Sequence, residues 1–296
     1  MMKNSPINYT ESAGPFFKLK SKARLAKLLF ISKTKMKKFS KDEKKYYSFP
    51  KPKKDGGFRQ INAPQDDLKA VQSRIAELLQ RIAPPDFLFA PVKGKSYVDN
   101  AAHHVGARSI KLLDIMDFFP SCTSNKVIWF FRTRMECSDD ISVIIKEIVT
   151  LDESLPQGSP CSPILAYLCY VDMWEEIGKI VSSYQCRLSV YADDITISGQ
   201  ITPEEMVWEI KKTLHRHGHQ YNAEKERSRI DKPAQITGVI LTNKGLKLPN
   251  KQHQKIYEIQ NQLRMVQQSA KRQNLESQLR GRKAQKNQVL NASQST

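Results

Sequence analysis

Leu188-Ser189-Val190-Tyr191-Ala192-Asp193-Asp194-Ile195-Thr196-Ile197-Ser198 is the stretch on which the fold turns. Two short runs, Leu188 to Tyr191 and Ile195 to Ser198, flank Ala192-Asp193-Asp194, and their apolar, β-branched content predicts two strands joined by a tight turn. A third acid, Asp114, sits inside Ile110-Lys111-Leu112-Leu113-Asp114-Ile115, where Ile110 to Met116 reads as a buried strand ending in acid. Burying carboxylates is costly unless positive charge neutralises them. A hairpin tip brings Asp193 and Asp194 together, and strand pairing can bring Asp114 beside them. Three acids around one point suit oxygen-loving Mg²⁺, and two such ions about 3.5–4 Å apart serve in-line phosphoryl transfer. Taken alone, Asp193-Asp194 also reads as a solvated turn, where Asp is common.

Outward from this hairpin, Ile164, Leu168, Val171 and Trp174 mark a helix after a Pro156 to Pro163 loop. Pro203 begins another, running to about His217, and Ile236 to Leu241 reads as a strand. Upstream, the lysine-dense residues 18–45 carry Leu25, Leu28, Leu29 and Phe30, which predict one short amphipathic helix. Phe49 to Ile61 reads as two extended segments joined by an Asp55-Gly56 turn. Residues 66–82 form a helix with Leu68, Val71, Ile75, Leu78, Leu79 and Ile82 on one face, ended by Pro84-Pro85. Val143 to Val149 is helical or apolar filler. Strands interspersed irregularly with helices imply an α+β core rather than a doubly wound sheet. From Pro249 onward the chain is polar, basic and helix-prone, with few large apolar residues to build a core.

The 296 residues are ample for a real core, and 40% hydrophobic with 26% charged is ordinary for a globular chain. No apolar run reaches the ~18 residues of a membrane span, and Met1 to Thr10 lacks a signal peptide's apolar core. The five cysteines form no CxxC pair, which suits reduced thiols in a cytoplasmic protein and argues against structural zinc. The sequons at Asn8 and Asn291 are then chance. The net charge is +18, with +13 over residues 1–60, +8 over residues 247–296 and −3 between them. Basic ends around a slightly acidic centre can grip a polyanion while the centre holds cations, although lysines also serve solubility alone.

Four motifs in order carry a family resemblance. Tyr191-Ala192-Asp193-Asp194 resembles the YxDD box of reverse transcriptases, and Leu155-Pro156-Gln157-Gly158-Ser159-Pro160-Cys161-Ser162-Pro163 resembles their LPQG-x-x-x-SP loop. Asp114-Ile115-Met116-Asp117-Phe118-Phe119 resembles their first metal-binding box, and Pro50 to Arg59 their basic fingertip hairpin. Two further strings resemble bacterial retron reverse transcriptases: Asn100-Ala101-Ala102-His103-His104 (NAxxH) and Ile236-Thr237-Gly238 (VTG, with Ile for Val).

The resemblance implies a right-hand polymerase: a basic N-terminal helical extension (1–44), interleaved fingers and palm with an antiparallel sheet (45–245), and a small basic helical thumb (246–296). It makes Asp114, Asp193 and Asp194 the catalytic residues and the ligands of two Mg²⁺ ions. Lys53 and Arg59 would clamp the incoming deoxynucleoside triphosphate, while Lys54 is solvated edge. Asp117 falls where backbone amides approach the triphosphate, with a structural role for its side chain. Phe119 falls at the steric gate against a ribose 2′-OH, and Phe118 fills the core. Gln157 and Gly158 would shape the nucleotide pocket, Gly158 by close backbone approach. Lys225 would protonate pyrophosphate or is surface. Asn100 and His104 are expected to position RNA or structure, and His215, His217 and His219 match no metal pattern. Arg280, Arg282 and Lys283 would track the template–primer duplex.

The implied function is RNA-directed DNA synthesis on a cognate structured non-coding RNA. Priming would come from a guanosine 2′-OH, giving branched RNA-linked DNA and an RNA–DNA hybrid, in anti-phage defence beside an effector protein and away from any membrane. The alternatives are a group II intron-like or abortive-infection reverse transcriptase, a catalytically silent RNA-binding scaffold, and a metal-dependent nuclease. A scaffold needs no buried acids, and a nuclease needs no fingertip hairpin.

Overall fold

The computed structural model describes residues 9–42, 44–53, 56–266 and 268–294. Asn8, Lys54 and the Asp55 of the expected hairpin turn lie outside the described residues. The N-terminal region holds two helices, α1 (Lys22–Leu28) and α2 (Lys33–Lys41), where the apolar cluster predicted one. The break comes at Phe30, whose φ of 57° is left-handed. Ser32 then caps α2, accepting from Lys35 N at 3.1 Å. Leu25 and Leu29 are buried, but Phe30 is 76% exposed beneath the Arg74 guanidinium, 4.6 Å from the ring centroid.

Strands β1 (Tyr46–Pro52) and β2 (Phe58–Pro64) form the expected antiparallel hairpin. Helix α3 (Asp66–Leu79) follows, with Leu68, Val71, Ile75, Leu78 and Leu79 buried as their spacing requires. Next come β3 (Leu88–Ala90), α4 (Tyr97–Ala102), β4 (Ser109–Met116), α5 (Phe118–Ser121), α6 (Ser124–Trp129) and α7 (Asp139–Val149). The helix expected around Ile164 to Trp174 is two, α8 (Ser162–Leu168) and α9 (Val171–Ser183). Then follow β5 (Arg187–Tyr191), β6 (Asp194–Gly199), α10 (Glu204–Arg216), β7 (Gln220–Tyr221) and β8 (Arg227–Ile230). The single strand expected from Ile236 to Leu241 is instead a hairpin, β9 (Ala234–Ile236) and β10 (Val239–Thr242). Positive φ at Thr237 (45°) and Gly238 (90°) makes a two-residue turn inside that segment. After β11 (Gly245–Lys247) come α11 (Asn250–Met265) and α12 (Ser269–Gln294).

The main sheet runs β3-β5-β6-β4-β7, with β8 also paired to β4. Its register sorts the side chains, because residues opposite one another share a face. Leu113 lies opposite Ile195 and Lys111 opposite Ile197, while Leu188 also pairs with Ile197. These apolar residues join the principal core with α9 and α10. The other face carries Asp114 opposite Asp194, Leu112 opposite Thr196 and Ile110 opposite Ser198. At its Ile110 end that face is covered by a second core, in which α4 and the β9-β10-β11 sheet meet Val289 of α12. At its Asp114 end it opens into a cleft. The sheet thus presents its acids at the uncovered end.

Helix α12 is fastened back on the body. Val289 is fully buried, and Leu246 N donates to Ser293 Oγ at 3.0 Å. Strand β11 straddles the expected 245/246 boundary.

Candidate active site

Strand register places the three acids at one end of the sheet. Asp114 on β4 faces Asp194 at the start of β6, and Ile115 N donates to the Asp193 carbonyl at 3.1 Å. Ala192 turns the chain with φ of 57°. Burial, reinforced by the charges of Asp193 and Asp114, pushes the Asp194 carboxyl up to about 7. Asp193 is raised by the same cause, burial first, and the nearby Arg59 charge acts in the opposite sense. Lys225 Nζ donates to both Asp114 oxygens at 3.1 Å. Burial opposes the Lys225 charge, yet the Asp114 bond and the other two acids hold its pKa above the usual lysine range. Among the described residues no three His, Cys, Asp or Glu side chains are gathered into a ready metal cage. The donor set is nonetheless all hard carboxylate oxygen, short of positive charge, which is what a divalent cation such as Mg²⁺ supplies.

A cleft of about 640 Å³ opens from Asp114 and Asp194 along the sheet to the Thr237-Gly238 turn. Arg227 and Arg229 of β8 line it too. The motifs read from the sequence include neither, although the alternation Lys225, Arg227, Arg229 is a strand-like signal.

Lys51 pairs with Arg59 across the hairpin, and both side chains are exposed, as is that of Lys53. The Arg59 charge is the weakest of the influences on the Asp193 carboxyl. The hairpin is tied to the Gln157-Gly158 loop by Asn62 N donating to Gln157 O at 2.8 Å. Gly158 has φ of 136°, and a Cβ there would lie 2.8 Å from Asn62 O. The close approach that needs glycine is therefore to the β2 backbone. Asp117 is exposed and left-handed (φ 44°) at the start of α5. Phe118 is buried against Trp174 and His219. Phe119 is half-buried beside it, ring centroids 5.7 Å apart.

Asn100 and His104 require a correction. Both are fully buried, so neither side chain reaches an RNA surface. His104 Nδ1 bonds Ser198 Oγ at 2.6 Å and Nε2 bonds Ser189 Oγ at 2.7 Å, bridging β6 and β5. Asn100 Nδ2 donates to Thr237 Oγ1 at 3.3 Å. Two strings far apart in sequence thereby meet, through Asn100 and Thr237, in a part-buried contact. His219 is likewise buried, bonding Ser121 Oγ at 2.7 Å. On α12, Arg280 and Lys283 are exposed, while Arg282 donates to Gln252 Oε1 on α11 at 2.8 Å. None of the three approaches the acids in the hydrogen bonds and ion pairs observed.

Residues 51–241 match the family model described as "Reverse transcriptase (RNA-dependent DNA polymerase)". The chain belongs to the reverse transcriptase family. The α+β architecture is accordingly that of a right-hand polymerase. Retron Se72 reverse transcriptase of Salmonella heidelberg (strain 579083-10) is 34% identical over 166 residues, 55% of this chain and 44% of that protein. Retron Ec86 reverse transcriptase of Escherichia coli is 34% identical over 155 residues, 52% and 48% of the two chains. Retron Ec48 reverse transcriptase, also of Escherichia coli, is 27% identical over 273 residues, 84% of this chain and 65% of that one. The matched region spans about half the length of the first two relatives. Among solved structures, the foamy viral protease-reverse transcriptase dRH in complex with double-stranded DNA has a TM-score of 0.45 at 18% identity, covering 74% of this chain and 34% of that one.

Proposed function

We propose that this chain is an RNA-directed DNA polymerase of the retron kind. The observation that carries the reading is the register of Asp114 against Asp194, with Asp193 in the turn between β5 and β6. Two Mg²⁺ ions held by Asp114, Asp193 and Asp194 would lower the pKa of the priming hydroxyl and neutralise the departing pyrophosphate. The chain's own groups do the rest. Arg59 and Lys53 hold the triphosphate, Arg59 as a multi-donor fork. Phe119, half-buried beside Phe118, would exclude a ribose 2′-OH by collision with its ring. Lys225 Nζ, already beside Asp114, carries the proton that pyrophosphate takes on leaving.

By the retron resemblance, the template would be a structured non-coding RNA, the primer a guanosine 2′-OH and the product a branched RNA-linked DNA, in anti-phage defence beside an effector protein. No helix among the described residues is long and apolar enough to cross a membrane. The test is extension on an RNA template with Asp193→Asn and Asp114→Asn. Each is expected to reduce Mg²⁺-dependent synthesis by more than about a thousandfold with RNA binding nearly intact, since the transition state depends on charge stabilisation. Parent-like extension by either variant overturns the reading. Covalently joined RNA and DNA copurifying with the protein would mark the retron product.

A further inference from the structure

The cleft beyond the acids has one wall that the proposed chemistry leaves unused. Arg227 lies opposite Leu112 and Arg229 opposite Ile110, so both project from the sheet face that carries Asp114 and Asp194. Lys225, bonded to Asp114 at 3.1 Å, begins the row. Alternate residues on a strand stand about 6.6–6.8 Å apart, close to the spacing of successive nucleic-acid phosphates. Neither arginine meets a carboxylate among the described residues. Arg227 donates to the carbonyls of Glu224 and Glu226 at 2.5 and 2.7 Å, and Arg229 to that of Ser228 at 3.0 Å. Nearby cations are paired by contrast: Arg108 with Asp231 at 2.8 Å and Lys211 with Glu226 at 2.8 Å. Two uncompensated guanidiniums along one side of a cleft fit a polyanionic backbone.

The side identifies the strand. The basic β1-β2 hairpin is tied to the Gln157-Gly158 loop by Asn62 N donating to Gln157 O at 2.8 Å, and the proposed function puts the triphosphate on that side. Strand β8 lies on the opposite flank of β4 from the β5-β6 hairpin, and its arginines share the cleft with the Thr237-Gly238 turn. We infer that Arg227 and Arg229 bind successive backbone phosphates of the primer strand just behind its reacting hydroxyl. This rests on the polymerase reading above and makes both arginines positioning residues for the primer.

The experiment measures binding of a labelled primer annealed to an RNA template, without nucleotides, across a salt series. The parent protein is compared with the R227A/R229A and R227K/R229K double variants. The alanine pair is expected to weaken binding about tenfold or more and to reduce the log–log salt slope by roughly 1.4–1.8, with the slope restored by lysine. In a second arm the parent binds primers carrying single neutral methylphosphonate linkages. The two linkages nearest the primer terminus should weaken parent binding, without weakening the alanine pair further. In extension, the alanine pair should raise the primer KM far more than the deoxynucleotide KM. An unchanged salt slope overturns the inference, as do primer linkages that can be neutralised without effect, or sensitive linkages on the template instead. The methylphosphonate arm needs only the parent and decides the matter even if the alanine pair does not fold. Parent protein that never extends a primer would overturn the polymerase reading instead, which the nucleotide-free arms do not depend on.

Discussion

At the scale of single residues, the proposed function has Phe119 and His104 serve the same site by opposite routes. Phe119 is half-buried beside the fully packed Phe118, and in that proposal it acts by getting in the way. Phe119→Ala should raise ribonucleotide over deoxyribonucleotide incorporation by about tenfold or more, because it removes a clash. Single-nucleotide extension reads this, and an unchanged ratio would make Phe119 ordinary packing. His104 acts by holding the β5-β6 hairpin through Ser189 and Ser198. Burial first, then the His103 and Arg187 charges, holds its pKa well below the usual histidine value. The folded state therefore binds fewer protons than the unfolded one, so its contribution to stability is present above the unfolded pKa of about 6.5 and is lost as pH falls below it. His219, lowered to about 4 chiefly by burial, acts in the same sense. Thermal unfolding should shift down by several degrees between about pH 7.5 and 5.5. His104→Gln should start lower at the upper pH and fall less steeply.

At the scale of elements, the junction of β2 with the Gln157-Gly158 loop is the most demanding contact near the site. Gly158→Ala must place a methyl 2.8 Å from Asn62 O at φ 136°. It should cost about 1–3 kcal/mol, read as a lower unfolding temperature together with a higher deoxynucleotide KM. The catalytic strands were legible in sequence because a β-branched run that ends in acid buries its apolar side chains only by leaving the carboxylate at a strand end. The hairpin at Asp193-Asp194 was legible too, but the register of β4 against β6 was not, because register between strands distant in sequence is a long-range choice. Asn100 and His104 were legible as a string but not as buried struts, since their partners Thr237, Ser189 and Ser198 are distant in the chain. The Thr237-Gly238 turn was read through as one strand despite its glycine, and Arg227 and Arg229 were visible as an alternation without a cleft to face.

Across the whole molecule, the basic C-terminal helices extend the charged surface away from the acids. Replacing Arg280, Arg282 and Lys283 together with glutamine should weaken RNA binding and shorten DNA products while sparing the first addition. The salt slope should fall by somewhat under about 1 for each lost phosphate contact. A parent-like slope and product length would make these charges solvated surface. The same arm is attached at both ends, leaving the body after β11 and returning where Ser293 meets Leu246. Attachment at both ends removes conformational freedom before any nucleic acid arrives, as closing a loop does for any chain. Less entropy would then remain to be lost if the arm takes up a duplex, as the proposed thumb role requires. Cutting the seam, for instance with Ser293→Pro, should therefore weaken binding of long duplexes without deleting a single phosphate contact.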